Sequence, residues 1–183
     1  MALLPTREKT RVPPCPSFSL TSPPGEREQL YSEMEIMIPV ESLSDTLAAF
    51  IKQLDDPSAR VQHDPASCLL YVLVRFVGAD DIPLSPFLGR NTAVLSMIVM
   101  GTAPGMSAPA TETAFFTRLL QDTCVATCGA GARPHPGKIN TFTAAMMAAA
   151  YPDTYGGFVD LRQRVDPTRL FANAYTDGLF GVY

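Results

Sequence analysis

What most narrows the fold of this chain is a repeated change of period. "EMEIMIP" (33–39) sets Met34, Ile36 and Ile38 on one side of an extended backbone, because successive strand side chains point to opposite faces. The next stretch, "SLSDTLAAFIKQLDD" (42–56), switches to helical spacing. Leu43, Leu47, Phe50, Ile51 and Leu54 form one stripe, and Ser42 with Asp45 three residues on reads as a capping box. "LLYVLVRFVG" (69–78) returns to strand chemistry, β-branched and aromatic. Its Leu70, Val72, Val74 and Phe76 share one face, and Tyr71, Leu73, Arg75 and Val77 share the other. "TAVLSMIVM" (92–100) alternates Ala93, Leu95, Met97 and Val99 with Thr92, Val94, Ser96 and Ile98. A helix follows in "TETAFFTRLLQDTCVATC" (111–128), with Thr111 as its cap and Phe115, Phe116, Leu119 and Leu120 turned inward. Gly129 and Gly131 stop it, and "ARPH" is a short extended piece.

The order is β-α-β-β-α-β, the split βαβ arrangement of a ferredoxin-like α+β fold. Two helices cover one face of a four-stranded antiparallel sheet. Val72, Val74 and Phe76 belong under those helices, which leaves Arg75 on the face turned away from the core. Two more helices follow. One runs from about 141 to 150, capped by Asn140, and one from about 154 to 165, with Phe158, Leu161 and Val165 on its apolar side. Before residue 31 the character changes. Pro5, Pro13, Pro14, Pro16, Pro23 and Pro24 punctuate residues 1–30 with no apolar period, so that stretch reads as a disordered arm ahead of a domain at 31–183.

Composition removes several functions. A net charge of −4 gives no basic face for nucleic acid. Cys15, Cys68, Cys124 and Cys128 are too few and too unevenly spaced for a disulfide scaffold. Cys124 and Cys128 share a helix face, but two further zinc ligands are not in view, and small buried side chains are the better reading. No apolar run approaches the ~20 residues of a membrane span, and no secretory h-region opens the chain. The default compartment is intracellular.

Chemistry concentrates in "GAGARPHPGKINTF" (129–142), which holds one of only two histidines, His135, and Lys138 three residues on. Its glycines follow a helix, the wrong order for a dinucleotide-binding loop. On these residues alone, a solvated proline turn and half of an active site both stand.

The separated blocks "LVRFVGADDIPLSPFLGRNTAVLS", "RPHPGK" and "YGGFVDLRQRVDPTRLFANAY" resemble, in order, the C-terminal part of the sugar-1,4-lactone and alditol oxidases. These are flavoenzymes similar to D-arabinono-1,4-lactone oxidase and L-gulonolactone oxidase, in the vanillyl-alcohol-oxidase superfamily. The resemblance runs from about Glu33 to Gly181 and implies the family's cap, or substrate, domain on a ferredoxin-like sheet. It implies FAD as cofactor, a sugar lactone or polyol as substrate, hydride transfer to flavin and dioxygen as the acceptor. It also implies peripheral membrane association, as in many members. By the same resemblance Arg75, Lys138 and His135 are the catalytic residues, Ser96 and Arg75 bind substrate, and His135, Lys138 and Asn173 lie against the flavin. No metal is implied.

Four departures qualify that expectation. The family's strand Glu-x-Arg reads Leu73-Val74-Arg75, so the arginine has lost its carboxylate partner. Pro136 replaces the tryptophan of the family's H-W-x-K turn, and Ile98 stands where a polar residue is common. The family's FAD-binding half has no counterpart in these residues. The chain is therefore expected to be inactive alone and to work with a separate FAD-binding polypeptide. The alternative is a non-catalytic remnant or interaction module derived from that domain.

Overall fold

The computed structural model describes residues 30–58, 68–102 and 107–182. The reading of a disordered arm falls on residues outside the described set, apart from Leu30.

The chain forms β1 (Tyr31–Pro39), α1 (Leu43–Leu54), β2 (Cys68–Val77), β3 (Thr92–Gly101), α2 (Ala110–Cys128), β4 (Arg133–Pro134), α3 (Ala144–Ala150), α4 (Tyr155–Val165) and α5 (Ala174–Phe180). Short 3-10 turns at Val40–Ser42 and Gly129–Gly131 lead into α1 and β4. The strands lie in the order β2-β3-β1-β4, with every pairing antiparallel. This is the ferredoxin-like α+β arrangement that the period changes predict, because each helix carries the chain across the sheet to a non-adjacent position. Gly129 ends α2 with a φ of 53°, a backbone conformation that a Cβ disfavours.

One face of the sheet is the core. Met34, Ile36 and Ile38 of β1 and Ala93, Leu95, Met97 and Val99 of β3 are fully buried there. They pack with Phe50 of α1 and with Phe116, Leu120 and Cys124 of α2. Burial pushes the Cys124 thiol pKa up, so it behaves as a small apolar group. The same core continues through Phe142, Met147, Ala150, Tyr151 and Leu179 into the C-terminal helices.

Several local expectations are corrected. Ile51 is exposed, whereas Thr46 is buried. The polar seam between α1 and α2 sets that rotation, with Thr46 Oγ1 2.9 Å from Thr127 Oγ1 and Gln53 Nε2 donating to Thr123 Oγ1 at 2.9 Å. Ser42 makes no side-chain cap, since a 3-10 turn already places it in helical geometry. Pro109, not Thr111, is the N-cap residue of α2. Thr143, not Asn140, caps α3, accepting from the Met146 amide. Val74 and Phe76 were expected beneath the helices, yet Phe76 is 66 % exposed. β2 is an edge strand, and α2 packs over β1 and β3 instead. Leu161 and Val165 of α4 are exposed too, and only Phe158 of the expected stripe turns inward, 4.8 Å from the Phe180 ring. Phe180 belongs to α5, a helix the sequence reading did not foresee.

Candidate functional site

The sheet's second face carries the polar chemistry, and strand register builds it. Leu73 pairs with Ser96, and Ser96 with Glu35. The His135 amide donates to the Glu35 carbonyl at 3.1 Å. Leu73, Ser96 and Glu35 therefore form one row across three strands, since cross-strand partners point to the same side, and His135, just past β4, extends it. Arg75 flanks the row on β2, two residues from Leu73. Glu33 flanks it on β1, two residues from Glu35, on the side opposite Met34 and Ile36.

Glu35 is the hub. Only 5 % of it is exposed. Ser96 Oγ donates to its Oε1 at 2.6 Å, and Arg75 Nη2 donates to the same oxygen and to Ser96 Oγ, the latter at 2.8 Å. Its other oxygen, Oε2, lies 3.9 Å from His135 Nε2. Burial alone would raise the carboxyl pKa. The Ser96 hydrogen bond and the Arg75 charge outweigh it, and the net shift is downward. Glu35 is thus a fixed anion at neutral pH. Beside it, Lys138 Nζ donates to Glu33 Oε2. That hydrogen bond raises the lysine pKa, with the Glu33 and Glu35 charges adding to it.

The turn that carries His135 and Lys138 is braced from three directions. The Lys138 amide closes it on the His135 carbonyl at 3.1 Å. Pro136 occupies the second turn position, where its restricted φ is an advantage. Asn140 Nδ2 donates to the Lys138 carbonyl at 3.1 Å and to Tyr175 Oη at 2.8 Å, and that hydroxyl donates to the Pro136 carbonyl at 2.6 Å. Tyr175 is delivered by α5. Asn173 starts that helix with a capping box, its Oδ1 accepting from the Tyr175 and Thr176 amides.

A cavity of about 390 Å³ opens on this face. Glu35, Arg75 and His135 supply its polar wall, and Met37, Val77, Val94, Phe87 and Pro136 supply most of the rest. The loop between β2 and β3 forms one side. Asp80 bridges to Leu88 and accepts from Ser85 Oγ, and Arg133 Nη1 donates to the Pro86 and Leu88 carbonyls at 3.3 and 2.9 Å. Arg133 in turn lies 4.6 Å over the Tyr151 ring. The "ADDIPLSPFLGR" block thus folds into a closed loop that holds Pro86 and Phe87 against the cavity.

The structure places Arg75, Ser96, His135 and Lys138 on one face of one sheet. Asn173 does not join them by its side chain, which is spent on capping; it acts on the site through Tyr175. The sequence reading missed Glu33, Glu35, Asn140 and Tyr175. The i, i+2 spacing of Glu33 and Glu35, opposite a strand's apolar face, was the available signal. Arg75 does have a carboxylate partner despite Leu73: Glu35, one strand further across the sheet. Among the described residues, no cluster of histidine, cysteine and carboxylate side chains suits a metal ion. No described helix is long and apolar enough to cross a membrane.

A ferredoxin-like sheet whose second face holds a buried carboxylate, a hydroxyl and two cations beside a cavity defines an α+β domain with a polar candidate site. Comparison with known proteins narrows this further. Residues 26–179 match the family model described as D-arabinono-1,4-lactone oxidase, and the chain belongs to that family. It is 30 % identical over 143 residues to L-gulonolactone oxidase of Mus musculus, covering 78 % of this chain and 29 % of that protein. It is also 30 % identical over 156 residues to L-gulono-1,4-lactone dehydrogenase of Mycobacterium tuberculosis (strain ATCC 25618 / H37Rv), covering 85 % of this chain and 32 % of the relative. The Bos taurus L-gulonolactone oxidase matches at 30 % identity over 145 residues. The chain spans less than a third of the length of each of these relatives.

Proposed function

We propose that residues 31–183 are the substrate domain of an FAD-dependent sugar-lactone oxidoreductase, the part that meets a flavin-binding domain. The observation that carries this is the row Ser96–Glu35–His135 with Arg75 and Lys138 beside it, set on the uncovered sheet face in a chain of this family. Arg75 presents donors to lactone or polyol hydroxyls, and Ser96, its own proton given to Glu35, holds the carboxylate and guanidinium in place. Glu35 keeps the guanidinium directed along the face and leaves the arginine, which is more than half exposed, free to bond a ligand with its remaining nitrogens. Lys138 and His135 stand at the rim, where the ring system of a flavin would meet them. The Lys138 donor chemistry fits an electron-rich ring edge, because an aimed ammonium favours developing negative charge. The chemistry supplied by a bound flavin is acceptance of two electrons as hydride from the substrate carbon. Tyr31, Leu73 and Ile139 are exposed, as expected of a surface that another domain covers.

Leu73 favours a second reading, a non-catalytic module that keeps the family's binding face without its turnover. One experiment separates the two. The chain is mixed with an FAD-binding domain of this family, and flavin absorbance is followed anaerobically after adding L-gulono-1,4-lactone. Bleaching that needs this chain and is lost in Arg75→Ala supports the oxidoreductase. A stable complex without bleaching supports the binding module, and absence of any complex sinks the proposal of a substrate domain that meets a flavin-binding domain.

A further inference from the structure

The tautomer of His135 is legible from its neighbours. The Gly137 backbone N–H points at His135 Nδ1, with an N···N distance of 2.9 Å. A backbone amide only donates, so Nδ1 must present its lone pair, and the neutral ring carries its proton on Nε2. That Nε2–H faces Glu35 Oε2 at 3.9 Å, too far for a direct hydrogen bond. Glu35 Oε1 already receives Arg75 and Ser96, while no hydrogen bond reaches Oε2 among those seen around it. One donor and one acceptor thus face each other across a gap, and both line the cavity.

Only some groups fit such a gap. A tetrahedral oxygen about 2.8 Å from each partner needs a span of about 4.6 Å, so a ring swing of under about 1 Å opens the seat. The His135 side chain is partly exposed and free to make that movement on its outer side. On the inner side, the Gly137 amide donating to Nδ1 at 2.9 Å restrains the ring. A hydroxyl accepts from Nε2–H and donates to the carboxylate at once. An ether or a ketone can do only the first, and an ammonium only the second.

We propose that His135 Nε2–H and Glu35 Oε2 form a donor–acceptor seat for one hydroxyl group of the ligand, with His135 serving as a fixed donor and not as a proton acceptor. The choice of probe rests on the lactone reading above; the seat itself rests on the geometry. A site of this kind discriminates strongly, because an analogue lacking the hydroxyl leaves buried polar groups unmatched.

The test uses the full chain, labelled with 15N, by nuclear magnetic resonance. A scalar coupling through the hydrogen bond between the Gly137 nitrogen and His135 Nδ1 is expected, and its absence overturns the fixed-donor assignment. Next, L-gulono-1,4-lactone and its fully O-methylated derivative are titrated separately. The lactone is expected to shift the His135 Nε2 resonance, with the methylated probe at least ~10-fold weaker there and Glu35→Gln weakening the lactone by a similar factor. Equal response to both probes overturns the seat, and so does a lactone that moves no resonance of the face. A lactone that shifts Arg75 and Lys138 but leaves His135 unmoved also overturns it, while leaving the oxidoreductase reading in place. Should Glu35→Gln fail to fold, the two-probe comparison on the unaltered chain still decides.

Discussion

Removing the Glu35 side chain tests whether the polar row is a built structure or a set of neighbours. In Glu35→Ala the Ser96 hydroxyl, fully buried, loses its acceptor; a stranded buried hydroxyl costs about 1–3 kcal/mol. Arg75 loses a partner too, but its side chain is 56 % exposed, so water screens and replaces most of that interaction, and its share is about 0–1 kcal/mol. Relief of the carboxylate's own desolvation offsets part of the loss. A net destabilisation of about 2 kcal/mol follows, which for a chain of this size lowers the melting temperature by roughly 4–8 °C. Glu35→Gln keeps an acceptor for Ser96 and the same volume, so it should cost less than half as much. Urea unfolding at about pH 7 measures these values, and Ser96→Ala completes a double-mutant cycle with an expected coupling near 1 kcal/mol. The pH dependence has a definite sign. A carboxyl whose folded pKa is depressed adds stability above its unfolded value, near 4.5, and loses it as pH falls through the lower folded value. The gap between the parent chain and Glu35→Gln should therefore close on acidification through that window. A Glu35→Ala variant within about 0.5 kcal/mol of the parent, or an additive cycle, would refute the hub.

Three further outcomes follow from the same structure. Asn173→Ala should cost about 0.5–2 kcal/mol through loss of the capping box, and amide exchange should quicken in α5 and in the 135–138 turn that Tyr175 braces; unchanged exchange in the turn would separate the two. Phe116→Ala removes a ring 3 % exposed that packs edge-on to Phe115 at 5.2 Å, and chemical denaturation should show a loss of about 3–5 kcal/mol. Lys138 has a raised pKa through its bond to Glu33, so its contribution is complete below the unfolded value of 10.5 and fades as pH rises through the folded value; in alkaline melts Lys138→Met should flatten that limb, and an identical slope would count against the pair.

The sheet and its two main helices were readable because periods of 2 and 3.6 are local properties. Each strand of the core announces its buried side in its own seven to ten residues, and the family blocks pointed to Arg75, Ser96, His135 and Lys138. The errors lie where burial depends on a neighbour. Ile51 has the right spacing for the α1 stripe, yet the Thr46–Thr127 and Gln53–Thr123 bonds turn another side of the helix toward α2. Phe76 alternates correctly but sits on an edge strand. α5 is only seven residues long, and its weak apolar pattern gave no stripe to detect.

What the sequence by itself determined is the alternation of elements, hence an α+β sheet with one apolar face, and the residue types available on the other. What only the tertiary structure decided is which of those residues meet. Arg75 and Glu35 are 40 positions apart, and Ser96 and Glu35 are 61 apart. No local period encodes either contact. Because β3 inserts between β1 and β2, and because register sets Leu73, Ser96 and Glu35 in one row, the carboxylate missing at position 73 is answered from β1. Pairing order and register are properties of the assembled sheet, and the polar row exists only there.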